Sequence, residues 1–531
     1  MMHIDYKRRQ FLQYATLGTI AASLPGLAWA ESPTVNATPN EAFKADVEIA
    51  LTAQTADVPI LSGAHTHVFK YYGKLIKGPQ TTLKELPGYL GPILNFQQGQ
   101  KVRIIFYNQL PEPCITHWHG MHMPQVMDGH PMYEIRRGER YVYEFEVKNP
   151  AGTNWYHSHT HELTAPQVYQ GLAGLITISD EAEQKLDLPN GEYDMPLVIQ
   201  DRSFTNGNQL RYVLNMHQRM RGFLGDMILV NGQENSTFPV KTRVYRLRIL
   251  NGSNSRIYKL GWDDGTPMIA IGTDGGLLAK PETLPYIMLA PAERVELWVD
   301  FSGRKLGSDL TLQSLSYQGA GHMGGGMGRG GMGMMGGGGS GQDGVLTIAR
   351  FRITEQVSDS PKLPVELVPM HRLTHQDISN PDRTVPIAIG MRHMAFQLNG
   401  RTFEMQDYME NEKIPLNTVQ KIKIFHEGGM MGRGMRGGRG GMGMMMSLPH
   451  PIHLHGQQFQ ILARTQASPS REYDSVKDGF INSGWKDTVL VMPGEEVEII
   501  KPFKDYAGLF LYHCHNLEHE DMGMMRNFYV S

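Results

Sequence analysis

Cys514 stands between His513 and His515, with His519 and Met524 a few residues further on, and this set of donors can hold a metal ion. A thiolate, two imidazoles and a weak axial thioether make the trigonal copper site that carries single electrons. Cys514, His519 and Met524 supply three of those donors and leave one imidazole to be found elsewhere. Side chains alternate along an extended segment. If 513–515 is extended, Cys514 points one way and His513 and His515 the other, so that one tripeptide touches two metal sites.

Three more histidine pairs lie upstream: His117-Trp118-His119-Gly120, His157-Ser158-His159 and His453-Leu454-His455-Gly456. On a strand each pair presents both rings on one face. With His513 and His515 they make eight imidazoles, enough for a cluster of three coppers, and His450, just ahead of Pro451, remains as the fourth donor for the Cys514 site. Zinc favours closed Cys/His sets of four, which does not account for ten such imidazoles and one thiolate.

These four motifs, in this order and at these internal spacings, resemble those of the multicopper oxidases, the family of laccases, ascorbate oxidase and the bacterial periplasmic cuprous oxidases. The resemblance extends over roughly residues 45 to 531 and implies four copper ions. It implies a type 1 copper at His450, Cys514, His519 and Met524, and a type 2 copper at His117 and His453. A type 3 pair would be held by His119, His157, His159, His455, His513 and His515. The implied acceptor is O2, reduced to two waters. Asp128, in the turn Met127-Asp128-Gly129, and Glu520 match positions where bacterial members of the family place proton-delivering carboxylates; the plainer reading of each is a solvated or structural carboxylate.

The elements that must position these residues read as strands. Lys101–Tyr107, Tyr141–Val147 and Val244–Leu250 are short β-branched and aromatic runs between turn-formers, and long amphipathic helical patterns are scarce. The class is all-β, with three cupredoxin-like Greek-key β-sandwich domains expected at 45–180, 190–352 and 385–531. The first and third carry the histidine pairs, so the cluster belongs at their contact. The middle domain has no such pair and reads as a copper-free spacer, with a strand and turn at Gly225–Gly232.

A formal charge of −3 over 531 residues argues against nucleic acid as a partner. Only two cysteines are present, so no disulfide framework exists if Cys514 binds copper, and Cys114 reads as an inert buried thiol. Residues 1–30 resemble a twin-arginine export signal: Lys7-Arg8-Arg9-Gln10-Phe11-Leu12, an interrupted apolar run, then Ala28-Trp29-Ala30. Export through the twin-arginine machinery would place the protein in the periplasm, soluble once the signal is cleaved.

The electron donor is read from two glycine- and methionine-rich loops, 321–341 and 428–446. Such segments bury no core, and thioethers select Cu(I). Met442, Met444, Met445 and Met446, just ahead of His450, are the candidate Cu(I) contacts, with Glu404 and Asp407 as acidic partners. A cuprous oxidase is therefore expected. The alternatives are a laccase-like oxidase of phenols or of other metal ions such as Fe(II), and a non-enzymatic copper-sequestering protein. His161 would share the face of His159 if that strand continued, but the resemblance implies no ligand there; His122, His130, His322 and His426 fall outside the ligand set, as surface residues or accessory copper contacts.

Overall fold

A computed structural model describes residues 36–318, 344–392, 395–427 and 448–531. The export signal, both methionine-rich loops, His322 and the candidates Met442, Met444, Met445 and Met446 lie outside the described residues. Strands dominate, and the longest helix among the described residues, Thr164–Gln170, has seven residues. No described helix is long and apolar enough to cross a membrane.

Six sheets stack in three pairs. Strands between residues 47 and 179 form a four-stranded and a five-stranded sheet, those between 194 and 355 a seven- and a five-stranded sheet, and those between 385 and 530 a six- and a five-stranded sheet. Alternation builds the faces: along Val47–Val58 the side chains of Val47, Ile49, Leu51 and Ala53 are buried in the first core and the residues between them are less so. That strand pairs antiparallel with Thr66–Lys77 but parallel with Lys101–Asn108, Val47 lying opposite Val102. Parallel neighbours cannot be joined by a hairpin, so the chain crosses between sheets in Greek-key fashion. The same mixture recurs in the other sandwiches, where Asp194–Arg202 runs parallel to Val244–Asn251 and Val385–Arg392 parallel to Thr418–His426. The strand and turn expected in the middle sandwich are Met227–Val230 followed by Asn231 and Gly232, both at positive φ.

The middle sandwich turns a buried charge cluster towards the first. On Val244–Asn251 the side chains of Tyr245, Leu247 and Ile249 enter the middle core, while Arg246 and Arg248 on the opposite face are also buried. Arg246 Nε donates to Glu296 Oε2 at 2.8 Å, and Arg248 Nη1 donates to Glu296 Oε1 at 2.9 Å. Thr153 of the first sandwich donates its hydroxyl to the same Oε1 at 2.7 Å. Burial alone would push the Glu296 carboxyl up; the two guanidiniums outweigh it and bring the group down to about 2.

Removing one partner of a buried ion pair leaves an uncompensated charge and costs about 3–5 kcal/mol. Arg246 and Arg248 keep Glu183 and Asp194 as further partners, so Glu296→Ala is expected near the lower end of that range in chemical denaturation. Because the folded group titrates below its ordinary value of 4.5, its contribution is present above that pH and is lost as pH falls from 4.5 towards about 2. The variant should lack this part of the acid dependence.

Candidate metal centre

Each histidine pair straddles the end of a strand. His117 ends Thr116–His117 with His119 in the turn beyond, His157 lies in Gly152–Ser158 with His159 just past it, His453 lies in His450–Leu454 with His455 past it, and His513 lies in Gly508–Cys514 with His515 past it. The expectation of pairs lying wholly on strands is thus corrected: only the first ring of each pair is on the strand. Register does the rest. His117 is opposite His157 in the first sandwich, and His453 is opposite His513 in the third.

The eight rings meet between those two sandwiches. His117, His119 and His453 form one group of mutually close donors, His119, His157 and His515 a second, and His159, His455 and His513 a third. His450, Cys514 and His519 form a separate group, with Cys514 Sγ 3.5 Å from His450 Nδ1 and 3.7 Å from His519 Nδ1. Cys514 therefore faces one group and its two neighbours face others. Met524 is fully buried in the same core as Cys514, and the chain folds back so that Cys514 N–H donates to the Met524 carbonyl at 3.1 Å.

Outer partners fix the rings. His117 Nδ1 lies 2.6 Å from the Asp128 carbonyl, His453 Nδ1 2.8 Å from the Asp487 carbonyl and His157 Nδ1 2.8 Å from the Ser158 carbonyl. A carbonyl only accepts, so each Nδ1 carries the hydrogen and each Nε2 is left with a bare lone pair. His117 Nε2, His453 Nε2 and both nitrogens of His515 are buried without a hydrogen-bond partner. Buried polar atoms are seldom left so. Inward lone pairs on rings held by outer carbonyls are the arrangement of metal-ligating histidines, and the donor set fits copper.

Burial pushes the rings down: His117, His119, His159, His450, His455 and His515 lie well below the usual imidazole range, and His157 and His519 reach about 3. They are neutral ligands at pH 7. Burial raises the Cys514 thiol, so its thiolate needs a cation beside it. Cys114 is fully buried, and burial pushes its thiol up to about 12, as an inert core thiol requires.

The two carboxylates singled out by sequence are buried beside the cluster, not solvated. Asp128 Oδ2 lies 2.6 Å from His455 Nδ1, and burial holds its carboxyl well above the usual range. The turn that places it needs Gly129, at φ +83°, because a Cβ there would stand 2.2 Å from the Thr116 carbonyl oxygen. Glu520 has one oxygen 3.0 Å from His513 Nδ1 and the other 3.7 Å from His159 Nδ1. Burial would raise this group, but the imidazoles, His513 foremost, bring it down to about 2. It lines a cavity of about 420 Å³ with His161, Glu162, Phe403 and Asp521.

Other expectations shift. Asp407 Oδ2 is engaged by Arg526 at 2.7 Å and Arg401 at 3.1 Å, while Glu404 is exposed. His122, His130 and His426 are buried instead of lying on the surface, and His161 is exposed; none joins a donor group among the described residues. His130 Nε2 is 3.0 Å from Asn527 Oδ1.

Sequence reasoning missed three residues. Asp487 lies 3.0 Å from His119 Nε2, and Arg294 outweighs the effect of burial to hold its carboxyl well below the usual range. Met220 sets its carbonyl 3.1 Å from His519 Nε2, which turns Nδ1 towards Cys514. Glu518 accepts from Tyr212 at 2.7 Å, Asn254 at 2.9 Å and the Phe223 N–H at 3.1 Å, tying the helix Leu517–Asp521 to the middle sandwich.

The multicopper oxidase pattern matches residues 80–183 and again 381–531. The chain is 30% identical over 436 residues to the multicopper oxidase mco of Staphylococcus haemolyticus, covering 82% of this chain and 81% of that one. A laccase of Bacillus stratosphericus is also 30% identical, with 84% and 90% of the two chains covered. The crystal structure of the McoA multicopper oxidase from Aquifex aeolicus superposes with a TM-score of 0.74 at 30% identity, covering 92% of this chain and 97% of that one. With this fold and these donor groups, the chain belongs to the multicopper oxidases.

Proposed function

We propose that this oxidase couples four one-electron oxidations of Cu(I) to the reduction of O2 to two waters and so serves copper tolerance in the periplasm. One observation carries the reading: the tripeptide 513–515 is divided among three donor groups, Cys514 with His450 and His519, His513 with His159 and His455, and His515 with His119 and His157. In this reading His450, Cys514, His519 and Met524 hold a type 1 copper, and His117 and His453 a type 2 copper. His119, His157, His159, His455, His513 and His515 hold a type 3 pair. The bound copper supplies one-electron acceptance beside Cys514 and four-electron reduction of O2 among the imidazoles.

The residues supply the connection and the protons. Cys514 is bonded through the main chain to both of its histidine neighbours, so the two donor sets are joined by covalent bonds and not across a gap. Glu520 lines the cavity at His161 and Glu162 and turns its oxygens to the rings of His513 and His159. It passes protons inward from that cavity. Asp128, whose burial keeps its proton on above the usual carboxylate range, holds one at the carboxyl group whose Oδ2 faces His455 Nδ1. General acid catalysis of this kind contributes about 10²–10⁴-fold.

Support for Cu(I) comes from the two methionine-rich loops, the second of which ends at Met446, shortly before His450. Support for the compartment comes from the twin-arginine motif at Arg8 and Arg9. The laccase among the relatives favours a second reading, phenol oxidation.

Asp128→Asn is expected to slow oxygen reduction by roughly 100-fold while the visible thiolate band is unchanged; equal steady-state turnover would remove the role given to Asp128. Oxygen uptake with Cu(I), Fe(II) and a phenol, before and after deleting 428–446, separates the substrates. Cu(I) oxidation should be fastest in the parent and fall on deletion. Cu(I) turnover unaffected by deletion, with phenol oxidation already fast in the parent, would establish the laccase reading instead.

A further inference from the structure

The middle sandwich carries no histidine pair, yet one of its side chains reaches the cluster. Arg294 opens the strand Arg294–Asp300 and is buried. Its Nη1 donates to Asp487 Oδ1 at 2.8 Å and its Nη2 to Asp487 Oδ2 at 2.5 Å, a two-pronged pairing of guanidinium and carboxylate. Its remaining donors are taken by the Thr153 carbonyl at 3.0 Å, the Ala292 carbonyl at 2.9 Å, the Asp274 carbonyl at 2.9 Å and Asn154 Oδ1 at 3.3 Å. All three sandwiches hold this one side chain in place.

Asp487 and Asp128 are placed alike around the cluster. Each turns its main-chain carbonyl to the Nδ1 of one ring, His453 or His117, and its carboxylate to another, His119 or His455. They differ in their backing. Among the described residues Asp128 has no guanidinium on it, whereas Asp487 is gripped by Arg294 and also accepts from the Thr488 hydroxyl at 3.0 Å.

The consequence falls on His119. Of the seven cluster rings with an outer partner, His117, His157, His159, His453, His455 and His513 are held through Nδ1. His119 alone is held through Nε2, so it turns Nδ1 inward, 3.4 Å from His157 Nε2. The turn carrying His119 lies directly on the Arg294–Asp487 pair. A Cβ at Gly120, which has φ +87°, would stand 2.7 Å from Arg294 Nη2 and 2.8 Å from Asp487 Oδ2.

We propose that Arg294 is a positioning residue of the imidazole cluster: by pinning Asp487 it fixes His119 with Nδ1 inward, so the middle sandwich sets a donor of a site to which it contributes no ligand. This rests on the reading that the cluster holds copper, but not on the identity of the reducing substrate.

The test uses the copper-loaded holoenzyme and the variants Arg294→Lys, Arg294→Gln, Asp487→Asn and Arg294→Gln/Asp487→Asn. Lysine keeps the charge and loses the fork. The readouts are copper retained against a chelator, the electron paramagnetic resonance signal of copper without a thiolate ligand, and the visible thiolate band as internal control. Each single variant should keep the thiolate band, shift the resonance signal and hold cluster copper about 10–100-fold more weakly. The double variant should lose less than the sum of the two single losses, because both act through His119. Unchanged cluster signal and retention in both Arg294 variants would overturn the proposal. Loss of both copper signals together, in step with a fall in melting temperature, would also overturn it, since a merely structural tie would behave that way. A cluster without copper in the parent would instead refute the oxidase reading, and Cu(I) turnover leaves these readouts untouched.

Discussion

The interior of this protein is organised by imidazole lone pairs that nothing among the described residues satisfies. His117 and His453 each spend their only hydrogen on a main-chain carbonyl and leave Nε2 buried and bare. His157 and His119 face each other at 3.4 Å through nitrogens whose opposite sides are already donating to the Ser158 carbonyl and to the ionised Asp487. Two bare nitrogens cannot share a hydrogen bond, and each buried unsatisfied group costs about 1–3 kcal/mol. A metal cation removes that cost for several rings at once. Metal binding and the seating of the first sandwich on the third are therefore linked, because only the assembled form presents the whole donor set.

The rest of the fold serves that constraint at two scales. Locally, strand ends place the first ring of each pair by register and the backbone just past the strand places the second. Over longer range, the middle sandwich adds no donor to these groups among the described residues but reaches those of its neighbours: Arg294 through Asp487 on His119, and the Met220 carbonyl on His519. The expected spacer is thus a source of outer partners. Its contact with the first sandwich includes the Thr153 hydroxyl on Glu296, a buried carboxylate that Arg246 and Arg248 hold ionised.

The candidate donors were legible in the sequence because their signal is local: a His-X-His spacing survives any fold that places its strand end at the site. Strands were legible through alternation, although Arg246 and Arg248 show that a polar face is not always a solvated one. What sequence could not show is partnership at a distance. Asp487 sits in Trp485-Lys486-Asp487-Thr488 with no spacing to any histidine pair, and Arg294 meets it across 193 positions. The partners of Asp407, Arg401 and Arg526, were hidden for the same reason, since the fold brings Arg526 to it.

The most direct measurement is X-ray diffraction from crystals of the copper-loaded protein at wavelengths on either side of the copper absorption edge. The expected map has one anomalous peak beside Cys514 Sγ, between His450 and His519, and a separate set of three among the rings of His117, His119, His157, His159, His453, His455, His513 and His515. A peak beside Cys514 with none among those eight rings would contradict the division of labour drawn here between electron entry and oxygen reduction.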